Sequence, residues 1–136
     1  MRILRSVALT LAMVLLALGS WQALRAQDAP RITGTYTNMS YIEEAGDVVG
    51  EELKIVVVQG GCYQGALQFA EGEPEGLPVV NIEVKGNAIS FAVPAGDTHA
   101  GRFSGTVSGG ALHGEFRFER GGVEKVTLKK GKSYWD

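Results

Sequence analysis

The chain has 136 residues, of which 45% are hydrophobic and 21% charged, with 19 glycines, 4 prolines, a single cysteine and a formal net charge of −2. This composition fits one folded domain and excludes collagen-like and disordered chains. One cysteine excludes an intramolecular disulfide, and net acidity argues against nucleic acid, whose phosphates need a basic stripe to displace their counterions.

The first 26 residues differ in kind from the rest. Arg2 and Arg5 give a positive start, residues 7–18 are an apolar run, and residues 19–26 are more polar. This is the order of a secretory signal peptide, with cleavage expected after Ala26. The run falls short of the roughly 20 residues of a membrane span, so the membrane is expected to be met only in transit. The expectation is a signal-peptide helix over 1–26, a single β-barrel domain over 27–136, and a periplasmic or secreted location. Without the leader, 10 basic and 15 acidic residues leave a formal charge of −5, and ten of the acids precede Val84. Cys62 lacks a nearby His or CxxC partner, so redox or nucleophilic work is not expected of it.

Ile32, Thr33, Gly34, Thr35 and Tyr36 begin the first predicted strand, which can extend to Ile42. Residues 43–47 form a polar turn, and residues 48–59 are strongly β-prone, with Leu53, Ile55 and Val57 as the alternating apolar set. A three-residue loop Gly60, Gly61, Cys62 would pair Ile55 with Leu67 and Leu53 with Phe69, placing Cys62 at a turn. Residues 71–78 are an acidic loop with two prolines, which breaks any strand. With Gly86 and Asn87 as a turn, Val84 faces Ile89, Ile82 faces Phe91 and Val80 faces Val93. Residues 94–101 form a loop. With Gly109 and Gly110 as the next turn, Val107 faces Leu112, Gly105 faces Gly114 and Phe103 faces Phe116. A three-residue loop Gly121, Gly122, Val123 would then set Phe118 against Val126, Phe116 against Leu128 and Glu119 against Lys125.

These registers put the large apolar residues on one face of every strand. No helical period appears after residue 26 to cover that face. The predicted fold is therefore all-β: an antiparallel up-and-down meander of about eight strands closing into a small barrel, with a two-layer β-sandwich as the alternative. Glycines 105 and 114, opposite each other on the inner face, suit sharp bending of the sheet.

The opening Ile32–Tyr36 resembles the first strand of avidin-type barrels, and Gly34, Thr35, Tyr36 is similar to the Gly-x-Trp opening of lipocalins. Asn38 stands where the avidin-type pattern carries an Asn. The resemblance implies a calycin-like, eight-stranded exported barrel with a ligand at its mouth, and it points to Tyr36 and Asn38 as ligand-binding candidates. The ring of tryptophans that holds biotin in that family has no counterpart, since Trp135 is the only Trp after residue 26.

The chemistry-bearing residues offer several groupings. Ser104, His113 and Glu115 fall near one another on the outer face, with no pocket or oxyanion-stabilising element to make them a hydrolase. His99 and Asp97 share a loop and would bind a metal only with help from elsewhere. Glu71, Glu73 and Glu75 alternate with Gly and Pro, and a second acidic cluster spans 43–52. Neither has the spacing of a calcium loop. Tyr134 and Trp135 are expected to close one end of the barrel. The expectation is a non-catalytic barrel with no cofactor and no metal, binding a small apolar or amphipathic ligand. The competing expectation is a protein-interaction or inhibitor module that uses Glu71, Glu73 and Glu75 on a filled scaffold.

Overall fold

The computed structural model describes residues 31–136, and the expected signal peptide lies outside them. Nine strands follow in chain order: β1 Gly34–Thr37, β2 Ser40–Ile42, β3 Asp47–Val57, β4 Tyr63–Gly72, β5 Val79–Lys85, β6 Ala88–Val93, β7 Gly101–Ser108, β8 Ala111–Phe118 and β9 Val123–Gly131. From β3 onward each strand pairs antiparallel with the next, and β1 pairs with both β3 and β9, which closes the sheet. β2 continues the register of β1 along β3, so the two form one interrupted stave of an eight-stranded barrel. Closure removes the free edges that a meander would otherwise expose.

The interruption between β1 and β2 has a side-chain cause. Asn38 donates its backbone N–H to the Glu51 carbonyl at 3.1 Å, and its side-chain oxygen accepts the Glu51 N–H at 2.6 Å. An amide side chain thus takes over one rung of the ladder. Gly50 opposite has φ +112°, and a Cβ there would lie 2.6 Å from that same oxygen, so the close approach requires glycine.

Two hairpins have the predicted registers. Val107 faces Leu112, Gly105 faces Gly114 and Phe103 faces Phe116, while Ile82 faces Phe91 and Val84 faces Ile89. The β5–β6 ladder keeps this register but ends at Ile82, so Val80 is paired only on its other side, with Gly65 of β4. The other two registers differ from expectation. Leu53 pairs with Leu67 and Ile55 with Gly65. Leu112 pairs with Leu128, Gly114 with Val126, Phe116 with Glu124 and Glu115 with Lys125.

Both differences have one physical origin. Each loop has three residues, as expected, but starts earlier: residues 59–61 rather than 60–62, and 119–121 rather than 121–123. Val58 N–H donates to Cys62 O at 2.8 Å and Phe118 N–H to Gly122 O at 3.1 Å, closing the two loops. Moving a loop by one or two residues shifts the register by two or four, which keeps every side chain on its face.

The interior is filled. Leu53, Ile55, Leu67, Phe69, Val80, Phe91, Phe103, Leu112, Phe116 and Leu128 are all buried in one apolar cluster. The rings interlock: Phe91 stacks on Phe103 at 4.9 Å, Phe103 lies 4.8 Å from Phe116, and Phe116 meets Phe69 edge-on at 5.2 Å. The facing glycines have a role beyond bending. A Cβ on Gly114 would lie 2.5 Å from the tip of the Phe103 ring, and one on Gly105 would lie 2.8 Å from it. The missing side chains are the space that Phe103 occupies.

Candidate functional site

One end of the barrel carries the polar residues that the interior excludes. The 94–100 loop is held by an Asx turn, in which the His99 N–H donates to Asp97 Oδ1 at 2.8 Å. It is tied to the β8–β9 hairpin where the Glu119 N–H donates to Ala100 O at 2.8 Å. The loop lays the His99 imidazole flat on Phe69, with centroids 3.9 Å apart and an 11° interplanar angle. His99 ends 1% exposed, continuing the column of phenylalanines as its polar cap.

The end of β4 curls to meet it. Glu75 N–H donates to Phe69 O at 2.9 Å, and the Gln68 side-chain amide donates to Glu75 O at 3.2 Å. This curl puts Glu71 and Glu75 on opposite edges of one ring: Glu71 Oε1 lies 3.0 Å from Nε2 and Glu75 Oε2 lies 3.3 Å from Nδ1. Asp97 Oδ1 is 3.8 Å from Nδ1. The hydrogen bond and charge of His99 hold the Glu71 carboxyl below its ordinary range. His99 Nδ1 is buried with no hydrogen-bond partner.

Beside this cluster lies an open depression of about 510 Å³, lined by Asn38, Val49, Gly50, Glu51, Phe69, Ala70, Glu71 and Glu124. Its lining joins three carboxylates, Glu51, Glu71 and Glu124, to the apolar side chains of Val49, Phe69 and Ala70. Burial pushes the Glu51 carboxyl above its ordinary pKa; the Asn38 side chain opposes this and the neighbouring Glu124 adds to it. Glu51 Oε2 is buried without a hydrogen-bond partner.

The residues singled out in the sequence fall as follows. Tyr36 is fully buried and its hydroxyl donates to Ile32 O at 2.7 Å, so it faces the core. Asn38 stands on the wall of the depression. Glu71 and Glu75 converge on His99, while Glu73 is exposed and outside the cluster. Ser104 pairs across the ladder with Glu115, but His113 shares a hydrogen bond with Thr127 and Glu115 an ion pair with Arg117. That trio lines a shallow groove on the outer wall. Cys62 is exposed at a turn.

Tyr134 and Trp135 pack on the outer wall rather than across a barrel end. The Tyr134 N–H donates to Glu52 Oε2 at 2.8 Å and the Trp135 indole N–H to Gln68 Oε1 at 2.9 Å. Their partners Glu52 and Gln68 face each other across β3 and β4, which fixes where the tail lies.

Sequence reasoning did not single out Glu124. Its parity with Val126 and Leu128 was the available signal, since all three share the inward face of β9. Comparison with protein-family models, curated proteins and solved structures returns no match. The closed eight-stranded barrel is compatible with a calycin-like fold.

Proposed function

We propose that this is an exported, non-catalytic binding barrel whose ligand is small and amphipathic, with a cationic head, seated in the depression at the barrel end. The observation that carries the reading is Glu51, which lines the depression and has one buried carboxylate oxygen without a hydrogen-bond partner. A donor from outside would satisfy it, and a positive charge would offset both its burial and the nearby Glu124. Phe69, Val49 and Ala70 would take the apolar body of the same molecule. The filled interior favours this rim site over the barrel lumen. Export agrees with the order of residues 1–26, and a barrel with apolar residues inside and charged residues outside suits water on its outer surface, the reverse of a lipid-facing barrel.

Titration calorimetry with hexylamine tests the reading, with neutral hexanol and anionic hexanoate as comparators. The expected result is saturable one-to-one binding of the amine alone. The double substitution Glu51→Gln with Glu124→Gln should weaken it at least about tenfold, the equivalent of one charge-assisted hydrogen bond. Equal binding of hexanol, or an unaffected double variant, would overturn the cationic assignment.

A further inference from the structure

A neutral imidazole carries one proton, yet both ring nitrogens of His99 face carboxylates: Glu71 at 3.0 Å from Nε2 and Glu75 at 3.3 Å from Nδ1. Whichever nitrogen holds the proton, the other points a lone pair at an anion inside a buried site. That arrangement is repulsive unless a positive charge stands there. The nitrogen without a hydrogen bond is Nδ1, on a ring 98% buried by side-chain area (2% exposed). One ligand atom from each of Glu71, Glu75 and His99 can be chosen so that all lie within 4.8 Å of one another.

We propose that Glu71, Glu75 and His99 form a binding site for a first-row divalent metal ion of the Zn²⁺ kind. Imidazole and carboxylate are the donor types such ions take, with bonds of about 2.0–2.2 Å. The ion fills the gap between Nδ1 and Glu75, where the observed 3.3 Å matches the separation of two neighbouring ligands around one tetrahedral ion. Nε2–H then donates to Glu71 Oε1, and this carboxylate–histidine contact fixes the tautomer that leaves Nδ1 free to bind. Glu71 stays on the opposite edge of the ring as the carboxylate that positions His99, and water completes the coordination of the ion beside Nδ1 and Glu75. Asp97 accepts the backbone N–H of His99 and so fixes the loop that carries the imidazole.

The site goes beyond the amine reading and does not depend on it, because neither Glu51 nor Glu124 belongs to it. The two share only Glu71, at the edge of the depression.

The test is titration of the purified, chelator-dialysed protein with ZnCl₂ at pH 7, read by calorimetry and by thermal unfolding. A Cys62→Ser background removes the exposed thiol as a competing ligand. The expected result is one Zn²⁺ per chain and a rise in Tm on saturation. Affinity should fall at least about tenfold in Glu75→Gln, a partly exposed position whose substitution leaves the core untouched, and similarly in Glu71→Gln. Glu73→Gln and Glu51→Gln should bind as the parent does. With Co²⁺ in place of Zn²⁺, the visible absorption of a nitrogen- and oxygen-ligated ion should appear and be lost in His99→Gln. No heat and no Tm shift, or undiminished binding in Glu75→Gln, would overturn the proposal. The charge at His99 would then be a second proton, and the cluster an imidazolium clamp.

Discussion

Glu51 and Glu71 line the same depression and respond oppositely to pH. Burial raises the Glu51 pKa above its ordinary value of 4.5, so folding favours the protonated form. Its contribution to stability is full below the unfolded pKa and lost as pH rises through the raised folded value. Glu71 is lowered by His99, so its contribution is present above the unfolded value and lost as pH falls through the folded one. Glu51→Gln should therefore hold its urea midpoint where the parent declines on the alkaline side of pH 4.5. Glu71→Gln should lose less than the parent on the acid side. Urea titrations from pH 3 to pH 7 check both, and two variants that track the parent in parallel would mean that these carboxyls are as solvated as any on the surface.

At the scale of the strand, β7 and β8 are shaped by what two residues lack. Gly105 and Gly114 face each other inside the barrel, and the tip of the Phe103 ring lies where their side chains would be. Gly114→Ala puts a methyl 2.5 Å from both that ring and the Ser104 carbonyl oxygen. The ring or the strand must move, at a cost of about 1–3 kcal/mol. Thr106→Ala, exposed on the outer face of β7, should cost less than about 0.5 kcal/mol. Denaturant titration of the pair separates the two faces, and equal losses would refute the packing.

The same strands show what the sequence makes legible. Alternation assigns faces, and two-residue turns such as Gly109–Gly110 fix register fully, because the turn leaves no freedom. The three-residue loops leave some, since a slip of two or four residues preserves every face. Nothing local distinguishes Phe116 opposite Leu128 from Phe116 opposite Glu124. The candidate site was legible only in pieces. His99 with Asp97, and Glu71 with Glu75, each stood out as incomplete groups, but they lie 28 residues apart at their closest hydrogen bond and meet only through the curl at the end of β4 and the 94–100 loop. Tyr36 is a ligand candidate only through the resemblance of its opening strand to avidin-type barrels, and its burial in the core is not something that resemblance can show.

For the whole molecule, the seam that closes the barrel is its shortest. Thr35, Tyr36 and Thr37 are all that β1 pairs with β9, against Lys129 to Gly131, whereas β3 and β4 pair along their whole length from Val48 to Val57. So brief a ladder contributes little by itself, and side chains hold it shut. Tyr36 is 0% exposed, sits in the apolar cluster and hydrogen-bonds back to Ile32. Lys130 reaches across from β9 to donate to Arg31 O at 2.6 Å and lies over the Tyr36 ring at 5.5 Å. Removing the ring should therefore do more than leave a cavity. Tyr36→Ala should cost about 3–5 kcal/mol and also unlatch β1 from β9, exposing the β9 edge as a template for another chain. Tyr36→Phe, which loses only the hydroxyl bond, should cost about 1 kcal/mol and stay closed. Hydrogen exchange should show the backbone amides of β9 that face β1 losing protection in Tyr36→Ala while β3 and β4 keep theirs. Sedimentation should show that variant alone associating as its concentration rises. If Tyr36→Ala stays monomeric with β9 protected, the ladder closes the barrel unaided and the latch assigned to Tyr36 is wrong.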